Sequence, residues 1–120
     1  MRREDGFSTL DIMKHLKLAR ERFRIWVDKG FITPSVYRAK GAGESHRFDI
    51  LDVYKIALFR HLVEIPQVPC KDASRYVEMW RNNYKDRVID RYWEIQLDRC
   101  TITIDVREVL SAYIFPEGYM

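Results

Sequence analysis

A chain of 120 residues that is 47% hydrophobic and 32% charged can bury one real core and hardly two independent ones. No apolar run nears the roughly 18 residues a membrane helix needs, and Met1-Arg2-Arg3 is followed by acidic residues rather than an apolar signal segment, so membrane insertion and secretion are disfavoured. A net charge of +3 is too small to name a polyanionic partner by itself, yet it is uneven: residues 1–65 hold 13 Lys/Arg against 9 Asp/Glu, and residues 66–120 hold 8 against 9.

Ser8 and Thr9 precede Leu10, Ile12, Met13 and Leu16, which predicts a first helix over about 9–16 with a hydroxyl cap and an apolar stripe. After Lys17-Leu18-Ala19, the recurrence of Phe23, Trp26 and Val27 predicts a second helix over about 20–29, closed by Gly30. Arg20, Glu21, Arg24 and Asp28 fall on its other side. Two short helices joined by a tight turn make a helix-turn-helix, whose second helix enters the DNA major groove and presents N-terminal side chains to base edges. Arg20 and Arg24 are expected there, with Arg22 at the flank.

Residues 36–40, the glycines at 41 and 43, and residues 44–48 read as strand, turn and return strand, a hairpin small enough to be a wing. Asp49 or Asp52 can cap a third helix running to about Leu62, with Leu51, Tyr54, Leu58 and Leu62 on one stripe and Lys55 and Arg60 at polar positions. Pro66 and Pro69 end it, and Ala73, Val77 and Trp80 mark a fourth helix over about 70–83. Over residues 91–106 the period changes to two, with Trp93, Ile95 and Leu97, then Ile102, Ile104 and Val106, predicting a second hairpin across Asp98-Arg99 and a terminal helix over about 106–113. The competing parse runs the fourth helix on through Trp93 as a dimerising coil, but it crosses Asn82-Asn83 and strands the β-branched run Thr101-Ile102-Thr103-Ile104.

Little else in the sequence carries chemistry. His15 and His61 lack a second ligand at i+3 or i+4, and structural histidines are the stronger account. Cys70 and Cys100 form no CxxC pair, so no zinc site or disulfide framework is announced, buried inert thiols are expected, and a reducing cytoplasm is the simplest location. There is no nucleophile elbow, phosphate loop or distinctive carboxylate pair, so neither an enzyme nor a cofactor is expected. The tryptophans fall mostly on inward stripes, which favours core packing over stacking on single-stranded nucleic acid.

From Phe7 to Ile32 the sequence resembles, without a gap, the N-terminal half of the MerR-type winged helix-turn-helix transcription regulators. Phe7-Ser8 stands where that family has an aromatic and a threonine, Phe23-Arg24-Ile25-Trp26 where it has leucine, arginine and an aromatic pair, and Gly30-Phe31-Ile32 where it has glycine and two leucines. His46-Arg47-Phe48-Asp49 is similar to its end-of-wing pattern, so the resemblance covers roughly Phe7 to Ala73. Three positions depart from the family: Lys17 replaces the turn glycine, Ala19 the capping hydroxyl residue and Glu21 a basic residue. A positive φ at Lys17 would cost about 1 kcal/mol. Glu21 can accept from a cytosine amino group or pair with a neighbouring arginine.

The fold expected is mainly α with small β-hairpins: a winged helix-turn-helix over 1–65, then a C-terminal extension over 66–120 used for packing or dimerisation. The function expected is sequence-specific binding of double-stranded DNA in transcriptional regulation. Arg20, Arg22 and Arg24 would meet the major groove, while Ser8, Lys14, Lys17, Arg38, Lys40, His46 and Arg47 fix register on phosphates. A homodimer would read half-sites about one helical turn apart; no small-molecule effector and no membrane partner are expected. The rivals are an excisionase-like DNA-bending protein and a winged-helix protein-contact module whose C-terminal hairpin, exposing Trp93 or Ile104, adds a strand to a partner's sheet.

Overall fold

A computed structural model describes residues 7–36, 39, 46–82 and 91–113. Its described part is mostly helical, with two small two-stranded antiparallel sheets, and it divides into two compact units, Met1–Ile56 and Ala57–Met120. The boundary falls inside a helix, and each unit is described in turn.

The N-terminal unit opens with β1 (Phe7–Ser8) and α1 (Thr9–Leu16). Ser8 supplies the expected cap as half of a capping box: its Oγ accepts from Asp11 N–H at 3.1 Å, and Asp11 Oδ2 accepts from Ser8 N–H at 3.0 Å. Partial burial raises the Asp11 pKa, but the Ser8 hydrogen bonds outweigh it and hold the carboxyl below its ordinary value. Ile12 and Leu16 are buried and Met13 half-buried, whereas Leu10, expected on the same stripe, is 69% exposed. At 100° per residue Leu10 lies well away from the Ile12–Leu16 line, so the stripe is narrower than the spacing suggested.

Lys17 ends α1 in the left-handed region at φ 55°, and both its N–H and that of Leu18 donate to Met13 O. The positive φ expected from the missing glycine is present, on a residue with a Cβ. Buried Leu18 then leads into α2 (Arg20–Asp28), which buries Phe23, Trp26 and Val27. It ends in a Schellman motif, with Gly30 at φ 80° donating to Val27 O and Phe31 N–H to Trp26 O. The return strand of the expected hairpin, β2 (Arg47–Phe48), pairs antiparallel with β1, Phe7 opposite Phe48 and Ser8 opposite Arg47. Val36 N–H donates to Arg47 O at 3.2 Å; the rest of the expected first wing strand and the turn lie outside the described residues. Fully buried Phe48 sets its ring 5.9 Å from Phe23, joining β2 to α2.

Helix α3 (Ile50–Glu64) runs through the boundary between units. The single stripe expected for it gives way to burial around most of its circumference: every residue from Asp52 to Phe59 is buried except half-buried Tyr54, and Leu51 is also half-buried. Lys55, expected at a polar position, is only 8% exposed. A helix that is apolar nearly all round belongs inside a protein, and the sequence run Val-Tyr-Lys-Ile-Ala-Leu-Phe has few polar groups to turn outward.

In the C-terminal unit Arg60 and Glu64 pair at 3.3 Å on the last turns of α3. The following loop places Gln67 at φ 60° and returns Val68 N–H to Leu62 O. Helix α4 (Cys70–Asn82) buries Ala73, Val77 and Trp80 as expected. Strands β3 (Tyr92–Gln96) and β4 (Thr101–Asp105) pair antiparallel, Glu94 opposite Thr103, so the hairpin parse holds and no helix runs through Trp93. Ile95 and Ile104 are buried, and Trp93 packs 6.3 Å from Trp80. Asp105 then starts α5 (Val106–Tyr113) by accepting from Glu108 N–H, a bond that, together with nearby Arg91, holds its carboxyl below the ordinary range.

Two stability predictions follow from these elements. Lys17→Gly should relieve about 1 kcal/mol of left-handed strain and raise Tm by about 4 °C in a thermal melt. Burial pushes the His61 imidazole below its ordinary value of 6.5, against the opposing charges of Glu108 and Glu64. The unfolded chain therefore binds that proton more readily, so this contribution to stability is full above pH 6.5 and is lost as pH falls through and below it. Between about pH 7.5 and 5, the urea midpoint should fall more steeply for the parent chain than for His61→Gln; equal slopes would remove the assignment.

Candidate nucleic-acid interface

The helix pair α1–α2 arranges four of the expected cations on an accessible surface. Lys14 on the last turn of α1, Lys17 in the turn, Arg20 at the first position of α2 and Arg24 one turn further on are all exposed. Ala19 makes no side-chain cap hydrogen bond, and the first helical bond of α2 is donated by Phe23 to Ala19 O. Ala19 therefore leaves the start of α2 without a side-chain cap from the N-cap position, close in sequence to Lys17 and Arg20, where the helix dipole adds positive potential.

The outer face of α2 is less basic than the count of arginines suggested. Arg20, Glu21, Arg24, Ile25 and Asp28 share it, two cations against two anions. Arg24 is clamped by both carboxylates: its Nε and Nη2 donate to Glu21, and its Nη1 donates to Asp28 Oδ2 at 3.1 Å. These hydrogen bonds, with the Glu21 and Asp28 charges, raise the Arg24 pKa, and the same guanidinium lowers that of Glu21. Of the two roles read for Glu21 from the sequence, pairing with a neighbouring arginine is the one formed. Arg22 is half-buried, its guanidinium carbon 4.8 Å from the Trp26 ring centroid.

The remaining candidates are more structural. The Oγ of Ser8 is engaged as the α1 cap. His46 Nδ1 accepts from Ala39 N–H at 3.0 Å, and its ring meets Phe48 edge-on, so the imidazole pins the chain ahead of β2 and leaves Nε2 to carry the proton. Arg47 is half-buried, and its Nη1 is enclosed without a partner among the described residues. Arg38 and Lys40 lie outside the described residues.

The sequence reading missed the tie that holds Ser35 against the start of α3. Asp49 and Asp52 cap α3 reciprocally, Asp52 N–H donating to Asp49 Oδ1 at 2.7 Å and Asp49 N–H to Asp52 Oδ2 at 3.1 Å. The same Oδ2 accepts from Ser35 N–H at 2.9 Å and from the Ser35 hydroxyl at 2.6 Å. The Asp-x-x-Asp spacing announced the cap; nothing in the sequence announced a partner 17 positions away.

Elsewhere the expectations meet the structure unevenly. Cys70 is half-buried and Cys100 exposed, both free, which corrects the expected burial: Cys100 sits at the turn of the β3–β4 hairpin and Cys70 at the start of α4. Ile104 is buried and Trp93 half-buried, so neither is offered as an exposed apolar contact. An open cleft of about 700 Å³ between α4 and the hairpin turn is walled by Arg75, Tyr76, Met79 and Arg99, with Arg75 paired to Asp72 and stacked on Tyr76. Among the described residues no cluster of His, Cys, Asp or Glu could hold a metal ion, and no helix is long and apolar enough to cross a membrane. Compared with known protein families, with curated proteins and with solved structures, the chain matches none.

Because buried Asp52 satisfies three donors, Asp52→Ala should cost about 2–4 kcal/mol in urea unfolding, and Ser35→Ala about 1 kcal/mol. Equal, small losses for both would show that the carboxylate does not organise this corner.

Proposed function

We propose that this chain binds double-stranded DNA as a MerR-type winged helix-turn-helix regulator, with α2 in the major groove and the segment around residues 36–47 as a basic wing. The observation that carries the reading is the tight α1–α2 turn, which brings the N-terminus of α2 next to exposed Lys17 and Arg20, with Lys14 and Arg24 also exposed one helical turn to either side. Lys14, Lys17 and the α2 amides meet phosphates and fix register; Arg20 and Arg24 read guanine O6 and N7. Arg24 leaves its carboxylates to do so. Solvent-exposed ion pairs are readily exchanged, and a guanine edge or phosphate offers the same guanidinium equivalent acceptors. The carboxylates then act as a filter, since Glu21 accepts from a cytosine amino group and repels a misplaced phosphate. A two-fold pair of such chains reads two half-sites about one helical turn apart and gains specificity.

The neutral charge balance of the α2 face supports a second reading, in which the helix pair contacts a protein rather than a nucleic acid. The two separate in one titration. For a DNA reader, affinity for duplexes selected from a random pool falls steeply with salt. Arg24→Ala then weakens binding about tenfold or more, and Lys17→Ala mainly reduces the salt slope by about one unit. Glu21→Gln, which frees Arg24 and removes an anion, tightens non-specific duplex binding. A chain that shifts no duplex and is not retained on heparin is the protein-contact module instead.

A further inference from the structure

Among the described residues the β3–β4 hairpin is a sheet of two strands, so each strand keeps one edge whose amides and carbonyls point away from its partner. Which residues those are is fixed by the ladder. Leu97 N–H donates to Cys100 O at 2.8 Å and Val106 N–H to Arg91 O at 2.7 Å. Pairs in an antiparallel ladder alternate, so Ile95–Ile102 and Trp93–Ile104 are also hydrogen-bonded pairs. Thr101, Thr103 and Asp105 therefore direct their backbone groups outward from β4, and Tyr92, Glu94 and Gln96 outward from β3. Among the described residues no other backbone group bonds to either edge.

The two edges differ in what protects them. Natural edge strands carry lysine, proline or a bulge. The β4 segment Thr101-Ile102-Thr103-Ile104-Asp105 has none of these, and its only charge is the terminal Asp105, already engaged by Arg91 and the α5 amide. Its pattern is nearly symmetric about Thr103. Laid antiparallel on itself, it sets Thr103 opposite Thr103, Ile102 opposite Ile104 and Thr101 opposite Asp105, with no like charges in register. The outward groups of Thr103 then exchange two hydrogen bonds across the axis, and each Asp105 N–H reaches the other copy's Thr101 carbonyl. The same operation on β3 sets Glu94 opposite Glu94, which is repulsive.

We propose that the exposed edge of β4 is a self-association surface, and that its occupant is a second copy of this chain paired antiparallel about Thr103 to make a four-stranded sheet. The two isoleucines of each copy continue one apolar face, and the exposed threonines line the other. A two-fold contact of this kind closes on itself and stops at two copies. It specifies the two-fold pairing named under the functional reading, yet it needs no DNA, so the two proposals succeed or fail separately.

Sedimentation equilibrium of the full chain without DNA tests it. A monomer–dimer equilibrium is expected. Thr103→Lys, whose side chain lies on the exposed face, should raise the dimer dissociation constant about tenfold or more by setting two cations in register. Unchanged far-ultraviolet dichroism and tryptophan fluorescence would show the hairpin intact. Mixing Thr103→Lys with Thr103→Glu should restore dimers that neither variant forms alone, a result that loss of folding cannot produce. A chain that stays monomeric at its highest soluble concentration, one that assembles beyond two copies, or a dimer indifferent to Thr103→Lys overturns the proposal.

Discussion

A buried carboxylate sets the geometry of the N-terminal unit. Asp52 is 1% exposed, and one of its oxygens accepts from two backbone amides and a hydroxyl while the other is enclosed without a partner among the described residues. Removing a carboxylate from water is expensive unless hydrogen bonds replace the lost hydration, so the donors have little freedom to be elsewhere. Asp49 is thereby fixed as the cap of α3, and Ser35 is fixed to the same point. Ser35 lies in the chain between α2 and β2, and β2 pairs with β1, the strand that leads into α1. Ser35 and the start of α3 thus share one anchor.

On that scaffold the electrostatics are finely balanced rather than strongly basic. On the outer face of α2 Arg24 is paired with Glu21 and Asp28, and the positive excess comes from Lys14 and Lys17 at its border. Exposed ion pairs at helical spacing contribute little to stability, so the fold does not depend on them. Any contact made by Arg24 has to offer acceptors that replace those of Glu21 and Asp28.

The C-terminal unit meets a different constraint. A two-stranded sheet is marginal in water and needs a covering layer. Ile95, Ile104, Val106, Val109 and Leu110 supply the buried side, and the Trp80–Trp93 contact ties α4 to β3. Covering a face does not satisfy an edge. Among the described residues the outer backbone groups of β4 have no strand partner, and the β-branched residues of that strand suit further pairing.

Local signals in the sequence sufficed where one physical period or one short-range bond decides the outcome. Ser8 capped α1, Gly30 closed α2, the alternation from Trp93 to Val106 made a hairpin, and the absent glycine at Lys17 left a left-handed residue with a side chain. The Glu21–Arg24–Asp28 clamp was partly legible too, because its members stand at i+3 and i+4. What the sequence could not decide depends on neighbours remote along the chain. Lys55 is enclosed although a lysine on a helix normally marks the outside, Leu10 is exposed although leucine normally marks the inside, and Ser35 finds Asp52 across 17 positions. Periodicity states which side chains share a face; only the packed tertiary structure states how many faces are covered, because burial is set by the elements that arrive from elsewhere and not by the helix itself.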